Sequence, residues 1–323
     1  MVLGRIGRLA GIGLVLASVG CATARVSPPP SPTPPPDSVL PTPSDPPPTS
    51  VLPSPTPPPP MAARVNGEPI YLADYQREVD RYEAALTAQG IDPDSQEGRV
   101  KLEESRGQIL DAMIEQTLVS QDAARAGVHI SDAVVEQHVQ EAADEAGGEA
   151  AFLAWLEEWG ETYADSRARV RAGLIGAAMA ERAVSSVPEA AEQVRARHIL
   201  VDSADQAREL RARLDDGADF ATLAAQHSQD ASTRNHGGDL GYFPRGILII
   251  SEVEEAAFGL QPGEISDVVA SKLGYHIVLV VERELARPIA DEDLQFLREQ
   301  AVQQWIQTLW DQAEIERFEE ASR

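Results

Sequence analysis

The chain has 323 residues, a net charge of −25 and a pI near 4.5. Residues 1–60 hold Arg5, Arg8 and Arg25 against Asp37 and Asp45, one net positive charge, so the remainder carries −26. A body of that sign lacks the basic face that phosphate recognition needs, which argues against a nucleic-acid partner, and a sole cysteine, Cys21, rules out an intramolecular disulfide.

Residues 1–21, MVLGRIGRLAGIGLVLASVGC, combine a positive start, an apolar run from Leu9 to Val19 and then Gly20-Cys21. That is the pattern of a secretory signal peptide, too short for a typical membrane span. A cysteine at this place resembles the lipobox of bacterial lipoproteins, in which the thiol takes a diacylglyceryl group, although Ser18 stands where that family usually has Leu. Cys21 is the expected lipidation site. Residues 22–61 read as a disordered proline-rich linker. Of the chain's 24 prolines, 18 fall within 27–60, and SVLP recurs at 38–41 and 50–53. Such a run lacks backbone donors and favours polyproline II. At about 3.1 Å per residue it holds the body up to roughly 100 Å from its anchor.

Residues 62–188 read as an all-helical module. Leu72, Tyr75, Val79, Tyr82 and Leu86 recur at three and four, marking one face of a helix that stops at Gly90. A second helix spans roughly 96–126, with Ile109, Met113 and Leu118 inward, and a third starts at the cap Ser131. Phe152, Trp155, Leu156 and Trp159 mark a fourth. Thr162 with Asp165 makes a capping box for a fifth that Pro188 ends. Tyr75, Tyr82, Trp155 and Trp159 are expected in the core, as helical aromatic stripes usually are.

After Pro188 the periodicity changes. A strand at 194–201 is followed by helices at 203–216 and 219–227, and HGGDLGYF (236–243) turns into a short strand. A helix at 251–259 precedes LQPGEIS and strands at 266–270 and 275–283. The last segment, 291–321, is helical again.

RARHILV, GGDLGYF, EEAAF, LQPGEIS and GYHIVLV, in this order and spacing, resemble the parvulin family of peptidyl-prolyl isomerases across 193–284. The helices opening with VNGEPIYLADYQREV resemble the N-terminal chaperone module of SurA- and PrsA-type foldases. The resemblance implies an α+β fold class overall: an all-helical N-terminal module completed by a C-terminal helix (285–323), with an inserted parvulin domain whose four-stranded antiparallel sheet is flanked by helices. It implies no cofactor and no metal. It also implies unfolded or nascent secreted polypeptides as partners, a membrane contact through the lipid, and an extracytoplasmic location on the bacterial cell membrane.

For the site, the resemblance implies a catalytic set of His198, Asp230, Ser271 and His276, the two histidines lying side by side. It implies a proline-binding set of Leu240, Phe243, Leu248, Ile249, Val253 and Phe258. Two departures stand out. Val253 occupies the place of a family Phe, and one residue more than usual follows Gly246, so Ile249 or Leu248 stands for the family Met. A ring restored by Val253→Phe is expected to raise activity. Isomerase and folding chaperone is the leading reading, and a non-catalytic holdase with an altered pocket is the alternative. The acidic VDSADQAREL lacks the basic loop of phosphate-selective parvulins. His227, Asp230 and His236 do not have metal-ligand spacing.

Overall fold

The computed structural model of the chain describes residues 59–318, so Cys21, the signal-peptide reading and nearly all of the expected linker lie outside the described residues. Chain order is β1 (Met61–Val65), β2 (Glu68–Tyr71), α1 (Leu72–Ala88), α2 (Gln96–Arg125), α3 (Asp132–Glu145), α4 (Glu149–Glu158) and α5 (Tyr163–Val184). It continues with β3 (Ala190–Val201), α6 (Ala204–Asp215), α7 (Phe220–His227), β4 (Asp239–Pro244), α8 (Ser251–Gly259), β5 (Val269–Ser271), β6 (Gly274–Pro288), α9 (Asp291–Gln312) and β7 (Ile315–Arg317).

The helical module is fixed by its caps and apolar stripes. Ser95 and Ser131 accept hydrogen bonds from Gly98 and Val134 at the starts of α2 and α3, and Thr162 and Asp165 form a reciprocal capping box on α5. Each cap satisfies backbone donors that the first helical turn leaves without partners. Tyr75 and Val79 of α1 pack with Leu110, Ile114 and Leu118 of α2. Leu309, Trp305 and Ile306 of α9 close the same core, and Trp305 Nε1 donates to Asp122 Oδ2 at 2.8 Å. A second, smaller core joins α3 and α4 through Val135, Val139, Phe152 and Leu156, with Val170 and Leu174 of α5 packed against them.

Two expectations need correction. This half of the chain is not wholly helical: β1 and β2 form a hairpin, and β7 pairs with the other edge of β1 to give a three-stranded sheet in the order β2-β1-β7. The hairpin turn is Asn66-Gly67, both with positive φ (50° and 86°), the backbone of a type I′ turn and the strongest short-range hairpin signal a sequence offers. β1 starts inside the range read as linker, and the final segment leaves the helix at Gln312 because Ile315–Arg317 are drawn into the sheet. The second correction concerns the aromatic residues. Tyr75 is buried, but Tyr82 and Trp159 are only partly so, and Trp155 is 42% exposed.

The chain leaves this module by β3 and returns by β6. Strands β4, β3, β6 and β5 lie in that order in one antiparallel sheet. One sheet face is covered by α6 and α7, where Ile199, Val201 and Ile277 meet Leu210, Phe220 and Leu223. The other meets α8, where Val194, Ala196, Val278 and Val280 pack with Phe243, Val253 and Phe258. Gly238 is required where β4 approaches β3. Its φ is 76°, His198 N–H donates to its carbonyl at 2.9 Å, and a Cβ there would stand 2.2 Å from the His198 carbonyl oxygen. On the far side of the loop after β4, a Cβ on Gly246 would lie 3.1 Å from Leu297 Cδ2, so α9 touches both the helical module and the inserted one.

Candidate functional site

His198 and His276 come together because of strand register. On the antiparallel pair β3/β6, His198 is opposite Val278 and Leu200 is opposite His276. The two histidines are therefore diagonal neighbours on one face, within reach of long side chains. Their rings lie 5.6 Å apart and 14° from parallel, with Nδ1 to Nδ1 at 3.4 Å. This face is the one that α8 covers.

Each ring has a polar partner at its outer nitrogen. His198 Nε2 lies 2.7 Å from Asp230 Oδ2, and His276 Nε2 lies 2.7 Å from Ser271 Oγ. Asp230 is delivered by the segment after α7, where Gln229 N–H donates to the Leu200 carbonyl at 2.7 Å and Leu200 N–H donates to Ser228 Oγ at 3.2 Å. Ser271 is delivered by β5, in which Val269 pairs with His276. Leu273 N–H donates to Ser271 Oγ at 3.1 Å.

With both rings neutral, one assignment of protons satisfies the whole chain. Ser271 O–H donates to His276 Nε2, His276 Nδ1–H to His198 Nδ1, and His198 Nε2–H to Asp230. Asp230 is the terminus. Burial pushes its carboxyl up, but hydrogen bonds from Ser232, Thr233 and His198 outweigh that and hold it well below the usual carboxylate range, so it is ionised. Burial, and then the neighbouring His198, lower His276 to about 4, so it stays neutral. His276 has 0% exposure and His198 is also buried, whereas Asp230 and Ser271 are only partly buried. Ser232 and Thr233 were not anticipated. The spacing DAST, an Asp with a hydroxyl two residues on, is the signal that points to them, because such an Asp turns back on its own backbone: Ser232 N–H donates to Asp230 Oδ1 at 3.0 Å.

The six residues expected at the proline pocket divide into three kinds. Leu240 and Leu248 are partly buried and pack on the α8-side cluster. Phe243, Val253 and Phe258 are inside that cluster, with Val253 at 1% exposure, so they back the surface rather than face it. Phe243 and Phe258 meet edge to face at 6.0 Å, and the Arg245 guanidinium lies 4.1 Å from the Phe258 ring centroid. Ile249 is 100% exposed and is not part of the cluster, so of the two alternatives Leu248 is the residue packed where the family Met is expected. Val253 is buried, so a ring placed there would add volume inside the α8-side cluster rather than at its surface. The loop carrying Leu248 is cinched by Glu254 on α8, whose carboxylate accepts from Gly246 N–H at 2.9 Å and Leu248 N–H at 3.2 Å. No sequence signal marks this clamp.

Two family models match the chain. The one described as a PPIC-type PPIASE domain covers residues 186–282, and the one described as a SurA-like N-terminal domain covers residues 55–154. The foldase protein PrsA of Caldanaerobacter subterraneus subsp. tengcongensis is 30% identical over 234 residues, 68% of this chain and 72% of that protein. PrsA of Geobacillus kaustophilus is 47% identical over 92 residues, 28% of this chain and 32% of that one. The crystal structure of the peptidylprolyl isomerase PrsA from Bacillus anthracis shares 30% identity, covers 63% of this chain and 94% of its own, and has a TM-score of 0.40.

Proposed function

This chain belongs to the PrsA foldase family, and from that premise we propose that Asp230 and Ser271 are the polar groups its isomerase site presents to an X-Pro peptide, with His198 and His276 as the positioning residues that hold them. The chain is a peptidyl-prolyl cis–trans isomerase and folding chaperone. Rotation about an X-Pro bond faces a barrier of about 20 kcal/mol because the planar amide loses its conjugation as it twists. No covalent step is needed. A site lowers the barrier by taking the prolyl ring into an apolar surface and the amide out of water, where the less polar twisted form is favoured. Leu240 and Leu248, backed by Phe243, Val253 and Phe258, supply the apolar surface. The anionic Asp230 and the Ser271 hydroxyl flank it.

The observation that carries this reading is the unbroken hydrogen-bond chain from Ser271 to Asp230 through two buried histidines. A buried imidazole pair is costly to leave without partners, and here every ring nitrogen has one. The test is cis-to-trans relaxation of a short X-Pro peptide with the full chain. Asp230→Asn and Ser271→Ala are expected to lower kcat/KM by about 10-fold or more, as loss of a positioned polar group does, while unfolding midpoints are followed on the same samples. Unchanged kcat/KM in both variants would overturn the assignment.

We also propose that residues 1–21 direct the chain out of the cytoplasm and that Cys21 carries a lipid holding it to the membrane, where it meets unfolded secreted polypeptides. Among the described residues no helix is long and apolar enough to cross a membrane. The sole cysteine at the end of the apolar run supports the reading. Cys21→Ala is expected to move the protein from the membrane to the soluble fraction, and an unchanged distribution would rule the anchor out.

A further inference from the structure

The tryptophans of α4 were expected inside and are not. Trp155 is 42% and Leu153 44% exposed, and Trp159 is partly exposed at the helix end. Trp155 lies between two rings, stacked on the buried Phe152 at 6.3 Å and 15° and with Trp159 as its other aromatic neighbour, and it is still 42% exposed. Trp155 and Trp159 stand one turn apart, ring centroids 6.3 Å apart and planes tilted by 43°, so together they form an open aromatic slot. Slots of paired aromatic rings are what proline-rich segments in polyproline II recognise, because the ligand is already extended and loses little freedom on docking.

The chain carries such a segment close by. Leu72 N–H, at the start of α1, donates to the Pro60 carbonyl at 2.9 Å, so the proline-rich part joins the body beside the first turn of α1. Because β1 and β2 are antiparallel, with Met61 opposite Tyr71, the chain preceding Met61 and the start of α1 lie at the same end of the hairpin. Nine residues along α1, about 14 Å at 1.5 Å per residue, Arg81 Nε lies 3.7 Å from the carboxylate of Glu161, two residues past Trp159. The slot is therefore on the order of 20–30 Å from Pro60. Residues 46–58, PPPTSVLPSPTPP, hold seven prolines and no charged residue, and they cover that distance in roughly 7–10 residues of polyproline II. Their neutrality matters, since the exposed Glu157 and Glu158 immediately precede Trp159 and would repel an acidic ligand.

We propose that the Trp155–Trp159 slot on α4 is the docking site for the chain's own proline-rich segment, residues 46–58. Tethering at this distance gives an effective concentration in the millimolar range, so even a weak site is largely filled without a second molecule. Docking folds the tether back along α1 and shortens the span between the body and whatever holds the N-terminus. It also keeps an apolar face of the helical module covered until a competing proline-rich or apolar chain displaces the segment.

Acrylamide quenching of tryptophan emission in the full chain tests this directly. The wild type is compared with a variant in which the seven prolines of residues 46–58 are replaced by serine. The quenching constant is expected to roughly double in the variant, as a slot filled at millimolar effective concentration opens to solvent. With Trp155→Phe and Trp159→Phe added to both chains, only Trp305 and Trp310 on α9 report, and the difference is expected to vanish. Equal quenching with and without the prolines overturns the proposal. A difference that persists after both Phe replacements also overturns it, because the shielded residues then lie elsewhere. Shielding of Trp155 and Trp159 that appears only on adding a reduced, unfolded protein assigns the slot to external chains instead, and likewise overturns it.

Discussion

Replacing His276 with Gln, a polar side chain that does not titrate, should flatten the acid limb of the protein's stability. His276 is fully buried, and burial together with the nearby His198 lowers it from 6.5 to about 4, against smaller opposing effects of Glu252 and Asp230. Between pH 6.5 and 4 the unfolded chain binds a proton at this position and the folded chain does not. Stability then rises with pH across that window: the contribution is fully present above 6.5 and is lost as pH falls toward 4. A depression of this size corresponds to about 3 kcal/mol, at 1.36 kcal/mol per unit. Asp230, held below the usual carboxylate range, adds a second loss that sets in only as pH falls through about 3.8. Urea unfolding monitored at pH 7, 6, 5 and 4.5 on wild type and His276→Gln isolates the histidine, because the remaining carboxylates are common to both. The variant is expected to be less stable at pH 7, where it loses a packed ring, and to lose less on acidification. Parallel pH profiles for the two proteins would refute the burial argument.

Val253→Phe is expected to destabilise the inserted unit by about 1–3 kcal/mol, since Val253 is buried and a ring adds volume to the core; thermal unfolding measures it, and an unchanged melting temperature would mean that the cluster has room for a ring. Gly238→Ala should cost more than about 1 kcal/mol, because the residue has positive φ and its Cβ would meet the His198 carbonyl, and denaturant midpoints decide it. Residues 189–289 alone should unfold cooperatively, because both of that unit's clusters draw only on residues 194–280. The opposite should hold for residues 59–188 without α9, whose core needs Trp305, Ile306 and Leu309; circular dichroism during a urea titration distinguishes sharp from gradual loss.

The inserted unit was the more legible part of the sequence for a physical reason. Its strands alternate or run apolar over short stretches, and its turns need glycine where no other residue fits, as at Gly238, so the pattern survives as letters. The pairing of His198 with His276 came with the parvulin resemblance, and the β3/β6 register supplies its physical basis. What could not be read was anything set by packing across the fold. Nothing in RGILIISEVEEAAF says that Glu254 will reach back to two backbone N–H groups, or that Ile249 will face solvent while Leu248 packs. Trp155 misled for a related reason. Helical spacing places it on a stripe with Phe152 and Trp159, but α4 is only 10 residues long and meets its neighbours through Phe152 and Leu156 alone, so the stripe is wider than the contact. The hairpin at Asn66-Gly67 is different: Asn-Gly is a legible turn signal, and it lies just before the helical periodicity that begins at Leu72.

The position of α9 ties these pieces into one functional argument. A helix that only completed the first core would leave the inserted unit free on its two strands. Instead α9 packs Trp305 and Leu309 against the helical module and, about two turns earlier, sets Leu297 against Gly246. Gly246 opens the loop that Glu254 cinches and Leu248 rides on. On the proposed site, a shift of α9 relative to α2 is expected to reach the apolar surface through this loop rather than through the buried histidines. Leu297→Ala separates the two routes. It removes a contact to the loop but touches neither His198 nor Asp230, so it should raise KM for an X-Pro peptide while kcat and the His276-linked pH profile stay as they are. A fall in kcat with KM unchanged would mean that the loop and the hydrogen-bond chain are not independent.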